Sequence, residues 1–156
     1  MGGGILIDIG VHIIRFFQVA FGPVARVRSL HAECTVPGMQ GESDIEVELA
    51  HASGVRSRLD LSWSRPRILA RSGVGRPDER TERIIVHGKK RSHVLDLIDD
   101  GTSRERAARA IARGFVSHLR GARPLVSPAE GLWDVAVVEA AYRSVERGNK
   151  WQPVRP

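Results

Sequence analysis

Cysteine is almost missing from this chain. Cys34 stands alone in 156 residues, so no intrachain disulfide can form and no disulfide framework staples the fold. Lysine is scarce as well: of the 24 Lys and Arg residues only Lys89, Lys90 and Lys150 are lysine. Aromatic residues make up 5%, with Tyr142 the single tyrosine. A membrane span needs about 20 consecutive apolar residues. The apolar N-terminus falls short of that, because Asp8, His12 and Arg15 interrupt it. It also lacks the basic leader of a secretory signal, so neither a span nor a signal peptide is expected. A cytoplasmic, reducing setting is the expectation. There is no internal repeat and no low-complexity tract.

What is present suits an ordinary globular domain. Hydrophobic residues are 42% and charged residues 27%, which excludes wholesale disorder. A chain of 156 residues buries a real core without staples. It fits one domain, 1–156, and is short for an enzyme holding both a dinucleotide and a substrate. The formal charge of +6 is basic enough to attract nucleic acid. Arg106, Arg109, Arg113 and Arg120 would form a basic stripe on a helix, which reads as a solvated face, so nucleic acid is not the expected partner.

The spacing predicts a helix over Ile5–Phe21, with Ile9, Ile13, Phe16 and Ala20 as its buried stripe and Gly22-Pro23 as its stop. Val24–Cys34 reads as a strand, with Cys34 a small buried hydrophobe. In Asp44–Ala50 the alternation puts Ile45, Val47 and Leu49 on one face and Asp44, Glu46 and Glu48 on the other. Val55–Ser64 repeats the pattern, with Leu59, Leu61 and Trp63 against Arg56, Arg58 and Asp60. A hairpin through Ala52-Ser53-Gly54 brings Glu46 and Glu48 near Arg56 and Arg58. Arg65–Arg80 reads as a loop, and Gly73-Val74-Gly75 within it as a turn. Arg83–His87 and Ser92–Leu97 are two further strands joined at Gly88-Lys89-Lys90.

Two capping boxes start the closing helices. Thr102-Ser103-Arg104-Glu105 opens a helix to Leu119 expected to bury Ala108, Ile111, Ala112, Phe115 and Leu119. Ser127-Pro128-Ala129-Glu130 opens a helix to Arg147, ended by Gly148-Asn149. The pattern implies an α+β fold, a predominantly antiparallel sheet with helices packed on one face. Nothing in it reads as a βαβ dinucleotide-binding unit.

The chemistry-bearing feature is the run Gly2-Gly3-Gly4-Ile5-Leu6-Ile7-Asp8-Ile9-Gly10-Val11-His12. Asp8 and His12 are four apart, on one helix face and within reach of each other. A carboxylate beside an imidazole orients the ring and raises its basicity, which suits a general base acting on a hydroxyl. The same spacing also suits an acid in the first turn of a helix with a histidine paired to it. Gly10 between them would let a substrate or a helix approach closely. His31, His51, His87, His93 and His118 are dispersed, so no metal site is expected. Trp63, Trp133 and Trp151 read as packing residues.

These residues resemble the Gfo/Idh/MocA oxidoreductases, the relatives of glucose–fructose oxidoreductase and inositol dehydrogenase. The glycine run with Asp-x-Gly-x-His carries the likeness. So do Phe21-Gly22-Pro23-Val24, Arg83–Gly88, and Gly121–Leu132 followed by Val138–Ser144. The resemblance is to the C-terminal half of such proteins, and it implies a ferredoxin-like or dihydrodipicolinate-reductase-like domain that shapes the substrate pocket and builds a homo-oligomer through its sheet. By resemblance His12 exchanges a proton with a substrate hydroxyl and Asp8 supports it. The substrate is a sugar-like or polyol secondary alcohol or ketone. NAD(P) is implied only with a Rossmann-domain partner, because this chain has neither a GxGxxG unit nor the family's Glu-Lys-Pro segment. Two departures stand out: Arg15 where the family often has an acid, and a basic Gly88-Lys89-Lys90-Arg91 turn. The expectation is therefore a truncated or split oxidoreductase, inactive alone. The alternative is a non-catalytic dimerisation or regulatory domain, with Asp8 and His12 as relics.

Overall fold

The computed structural model describes residues 3–64, 82–87, 92–97 and 103–155. Their contacts group into two compact units, residues 1–65 with 126–156, and residues 66–125.

The first unit opens with one wide π turn, Leu6–Gly10, that runs into α1, Val11–Phe21. The side buried is Leu6, Gly10, Ile14, Phe17 and Gln18, not the expected Ile9, Ile13, Phe16 and Ala20. The segment is apolar nearly all round, so periodicity alone does not choose a face. Gly10 chooses it: a Cβ there would sit 2.7 Å from Leu6 Cδ1 and 2.8 Å from Leu61 Cδ1. The bare backbone lets the helix lie directly on the sheet. Gly10→Ala is expected to cost about 1–3 kcal/mol through overpacking, read as a lower urea midpoint with an unchanged m value. A midpoint equal to the parent's would refute that packing role.

After α1 come β1 (Val24–Glu33), β2 (Asp44–His51) and β3 (Arg56–Ser62). α3, Pro128–Glu146, follows later in the chain, and β6, Gln152–Pro153, ends it. The sheet runs β3-β2-β1-β6 with every pairing antiparallel. Its covered face carries Val24, Val27, Ile45, Val47, Leu49, Leu59 and Leu61, all buried as the alternation implies. The hairpin register follows expectation too. Glu48 meets Arg56 at 3.3 Å and Glu46 meets Arg58. Three residues break the pattern. Trp63 lies past the end of β3 and is exposed. Cys34 lies past β1 and is exposed rather than buried. Asp44, expected outward, is wholly buried.

α3 has the capping box its sequence announces. The Ser127 hydroxyl accepts from Glu130 N at 3.3 Å, and Glu130 Oε2 accepts from Ser127 N at 2.7 Å. Its inner side is mostly small, with Ala136, Ala140, Ala141 and Ser144 buried, so the helix closes onto β1. There Ser144 Oγ accepts from Ser29 N at 2.9 Å. Gly148 and Asn149 both take positive φ, 68° and 62°, and turn the chain back to make β6.

The second unit contains the antiparallel pair β4 (Glu82–His87) and β5 (Ser92–Leu97), then α2, Ser103–Leu119. The Gly88-Lys89-Lys90 turn, the Thr102 cap and the Arg65–Arg80 segment lie outside the described residues. The burial expected for α2 is not found: Ile111, Phe115 and Leu119 are 64%, 62% and 70% exposed, and Ala108 and Ala112 are exposed too. Periodicity marks an apolar face but carries no information about what covers it. Among the described residues no helix is long and apolar enough to cross a membrane.

Candidate active site

Asp8 and His12 both stand on the exposed side of the first helix, with Gly10, Ile14 and Phe17 turned inward. The shared face is as expected; the contact is not. No hydrogen bond or ion pair joins the two side chains among the described residues. Asp8 sits in the π turn, where each residue rotates less than in an α-helix, and both side chains are solvated, so nothing forces them together. Gly10 is not part of this surface. The close approach it permits is to Leu61 of β3, not to a substrate.

Arg15, one turn beyond His12, replaces the expected polar network with one of opposite sign. Its guanidinium pairs with Asp134 of α3, Nε and Nη2 each 2.8 Å from Oδ2. Gln18 Nε2 donates to Asp134 Oδ1 at 2.6 Å, and Gln18 Oε1 accepts from Val24 N at 3.1 Å. The buried Asp134 thus ties α1 to α3. Beside it lies a concavity of about 360 Å³ with Arg15, Val19, Pro23, Glu130 and Trp133 in its walls.

The start of the helix is held from outside. The first turn of a helix leaves four backbone N–H groups without partners. Here Ile5 N donates to the Glu42 carbonyl at 3.0 Å and Leu6 N to Glu42 Oε1 at 3.0 Å. The Tyr142 hydroxyl in turn donates to Glu42 Oε1 at 2.9 Å. Glu42 is buried, and its Oε2 has no hydrogen-bond partner. Burial, then the Glu42 carboxylate as acceptor and as charge, push the Tyr142 phenol well above the usual tyrosine range, so it stays a donor. The glycine run is what makes this fit. A Cβ on Gly4 would collide with the Glu42 carboxylate, and one on Gly41 would come within 2.5 Å of Gly4 N.

Asp44 forms a second buried acid centre. Its carboxylate accepts from the hydroxyls of Thr35, Ser43, Ser62 and Ser64. Burial alone would raise its pKa, but the four donors outweigh burial and hold it well below the usual carboxylate range. None of Glu42, Tyr142, Asp44 and Asp134 was singled out from the sequence. The one available signal was Tyr142, the single tyrosine, in the closing helix.

The other histidines have local partners. His31 meets Glu33 at 3.1 Å. His51 lies between Gly22 O at 2.6 Å and Ser57 Oγ at 2.8 Å. His118 Nδ1 is 2.8 Å from Ala122 O. Among the described residues no three metal-ligating side chains cluster. A dinucleotide pyrophosphate needs a parallel strand, a glycine turn and a helix N-terminus. Every described strand pairing is antiparallel, so the described residues do not fit NAD(P).

Comparison with known proteins agrees with this geometry. The family model for the GFO/IDH/MocA C-terminal domain matches residues 1–94. No curated protein sequence matches the chain. Among solved structures, an oxidoreductase from Agrobacterium radiobacter, in complex with NAD+, L-tartaric acid and magnesium, superposes with a TM-score of 0.71. Its identity is 21% over 96% of this chain and 48% of that one. The WlbA dehydrogenase from Bordetella pertussis, in complex with NADH and UDP-GlcNAcA, gives a TM-score of 0.74 at 18% identity, over 99% of this chain and 49% of its own. At these identities the likeness is one of fold. The chain spans about half the length of these structures.

Proposed function

The chain belongs to the GFO/IDH/MocA C-terminal-domain family, and from that premise we propose that it is the substrate-side half of an NAD(P)-dependent oxidoreductase acting on a sugar-like or polyol secondary alcohol or ketone. One observation carries the reading: the family's Asp-x-Gly-x-His run folds so that Gly10 packs on the sheet while Asp8 and His12 are presented outward on one helix side. His12 takes the proton of the substrate hydroxyl on a ring nitrogen as the carbinol hydrogen leaves as hydride, and Asp8, on the same helix side, supports it and positions the substrate. Arg15, one turn beyond His12, lines a concavity with Val19, Pro23, Glu130 and Trp133. The hydride acceptor belongs to a Rossmann-type half.

The test mixes the full chain with a Rossmann-type NAD(P)-binding partner and a panel of polyols, and follows nicotinamide absorbance. Turnover that requires both halves is expected. Tight NAD(P) binding by this chain alone, or no turnover with any polyol, defeats the proposal.

A homo-oligomer through the open sheet face, in a cytoplasmic setting, completes the reading. That face is charged rather than apolar. Arg28 pairs with Glu48 at 2.6 Å, Arg56 with Glu48, and Arg58 with Glu46. Arg26, Arg28 and Arg56 lie 5.0–5.7 Å from the Trp151 ring centre. The basic residues gather toward one end of the strands and Glu33 and Glu46 toward the other. Two copies related by a twofold axis across the strands would set unlike ends together. Association is therefore expected to weaken at least tenfold between about 0.05 and 0.5 M salt, measured by sedimentation. A dimer indifferent to salt would rule this face out.

A further inference from the structure

We propose that Glu42 and Tyr142 are positioning residues, a clamp that sets the start of the first helix and thereby the placement of Asp8 and His12. The inference rests on the acid–base reading of that pair. The helix has no cap of its own, since Ile5 at the N-cap position offers no side-chain acceptor. Two of its leading N–H groups, from Ile5 and Leu6, are taken up by Glu42, and Tyr142 holds the Glu42 carboxylate in turn. Glu42 comes from the segment entering β2 and Tyr142 from the C-terminal part of α3. The helix start is thus referenced to both layers of the unit, the sheet and the covering helix.

The arrangement is more specific than a cap requires. A serine or aspartate at the N-cap would satisfy one or two N–H groups and leave the helix free to pivot. The Glu42 carboxylate instead sits at the positive end of the helix dipole, buried, with Oε2 packed against Gly4 and left without a hydrogen bond. An unpaired buried carboxylate oxygen is costly, and its retention fits a group kept for placement. The phenol donates to Glu42 Oε1, the same oxygen that accepts from Leu6 N, and so fixes the carboxylate from the α3 side. Asp8 is the next residue after Ile7, and its own N–H reaches back to Gly4 O at 3.3 Å. A slip at the clamp therefore moves Asp8 directly and His12 one turn later.

The test is native-state amide exchange on the full chain, paired with the two-half assay. Tyr142→Phe is expected to speed exchange at Leu6 at least threefold, by loosening the Glu42 carboxylate. Glu42→Ala is expected to speed it at least tenfold. Glu42→Gln keeps an oxygen acceptor at the same reach and should bring Leu6 back to within about threefold of the parent. Amides of β2 should hold steady throughout, which separates the clamp from general loosening. In the assay Tyr142→Phe should lower kcat at least tenfold with KM within twofold. Unchanged exchange at Leu6 in both Tyr142→Phe and Glu42→Ala overturns the clamp, whatever His12 does. Faster exchange with unchanged kcat overturns the positioning role. A fully active His12→Ala variant takes that role down by the other route, and the failure is then read from residue 12 and not from residues 42 and 142.

Discussion

His12→Ala is expected to lower kcat of the two-half reaction by about 10²–10⁴-fold, the usual worth of a positioned acid–base group. KM should move little. The imidazole is exposed on the outer side of the helix and holds no packing contact among the described residues whose loss would disturb the fold. Its contribution would be made as the proton transfers, so the loss falls on kcat and kcat/KM alike. Asp8→Asn should cost less, about tenfold, because Asp8 makes no hydrogen bond to the ring and acts through its charge across solvent. Steady-state kinetics with the partner half decide the matter. A His12→Ala enzyme within twofold of the parent would return the domain to a purely structural role.

The second large effect concerns stability. Asp44→Ala should destabilise the first unit by about 2–3 kcal/mol, because it removes the shared acceptor of the buried Ser43 and half-buried Ser62 hydroxyls, while the exposed Thr35 and Ser64 turn to water. For a unit of this size the melting temperature should fall by roughly 10–15 °C. The effect has a pH signature. The folded carboxyl holds its proton less tightly than the unfolded one, whose pKa is about 3.9. The ionised form therefore stabilises the fold fully above that value, and the stabilisation drains away as the pH falls through and below it. Urea midpoints for parent and variant between pH 7 and pH 2.5 should converge toward the acid end. Parallel curves would mean the hydroxyl cage does not depend on the charge.

Much of the fold was legible along the chain. Ile45, Val47 and Leu49 alternate with acids, and Leu59 and Leu61 with Arg58, Asp60 and Ser62, so the hairpin and its buried side follow from period alone. Ser127-Pro128-Ala129-Glu130 carries its own capping chemistry, and the structure returns it atom for atom. Alternation failed at Asp44 because four neighbouring hydroxyls outweigh the cost of burying one carboxylate, and hydroxyls brought in from three strand ends are not adjacent in sequence. It failed on the first helix because every face was apolar enough to be buried. β6 escaped notice because two residues after a helix carry no period at all.

The sequence by itself determined the element order, the antiparallel hairpin, the cap of the closing helix and the shared helix face of Asp8 and His12. These rest on interactions within about four residues or on strict alternation, and such patterns survive in one dimension. Only the tertiary structure decided which helix face meets the sheet, through Gly10 against Leu61. It alone decided that Arg15 finds Asp134, 119 positions away, and that Glu42 and Tyr142, 100 apart, jointly hold the helix start. Those choices depend on pairs brought together only when the layers close. The proposed chemistry at His12 is thus written locally, while the start of the helix that carries it is held by residues that the sequence keeps far apart.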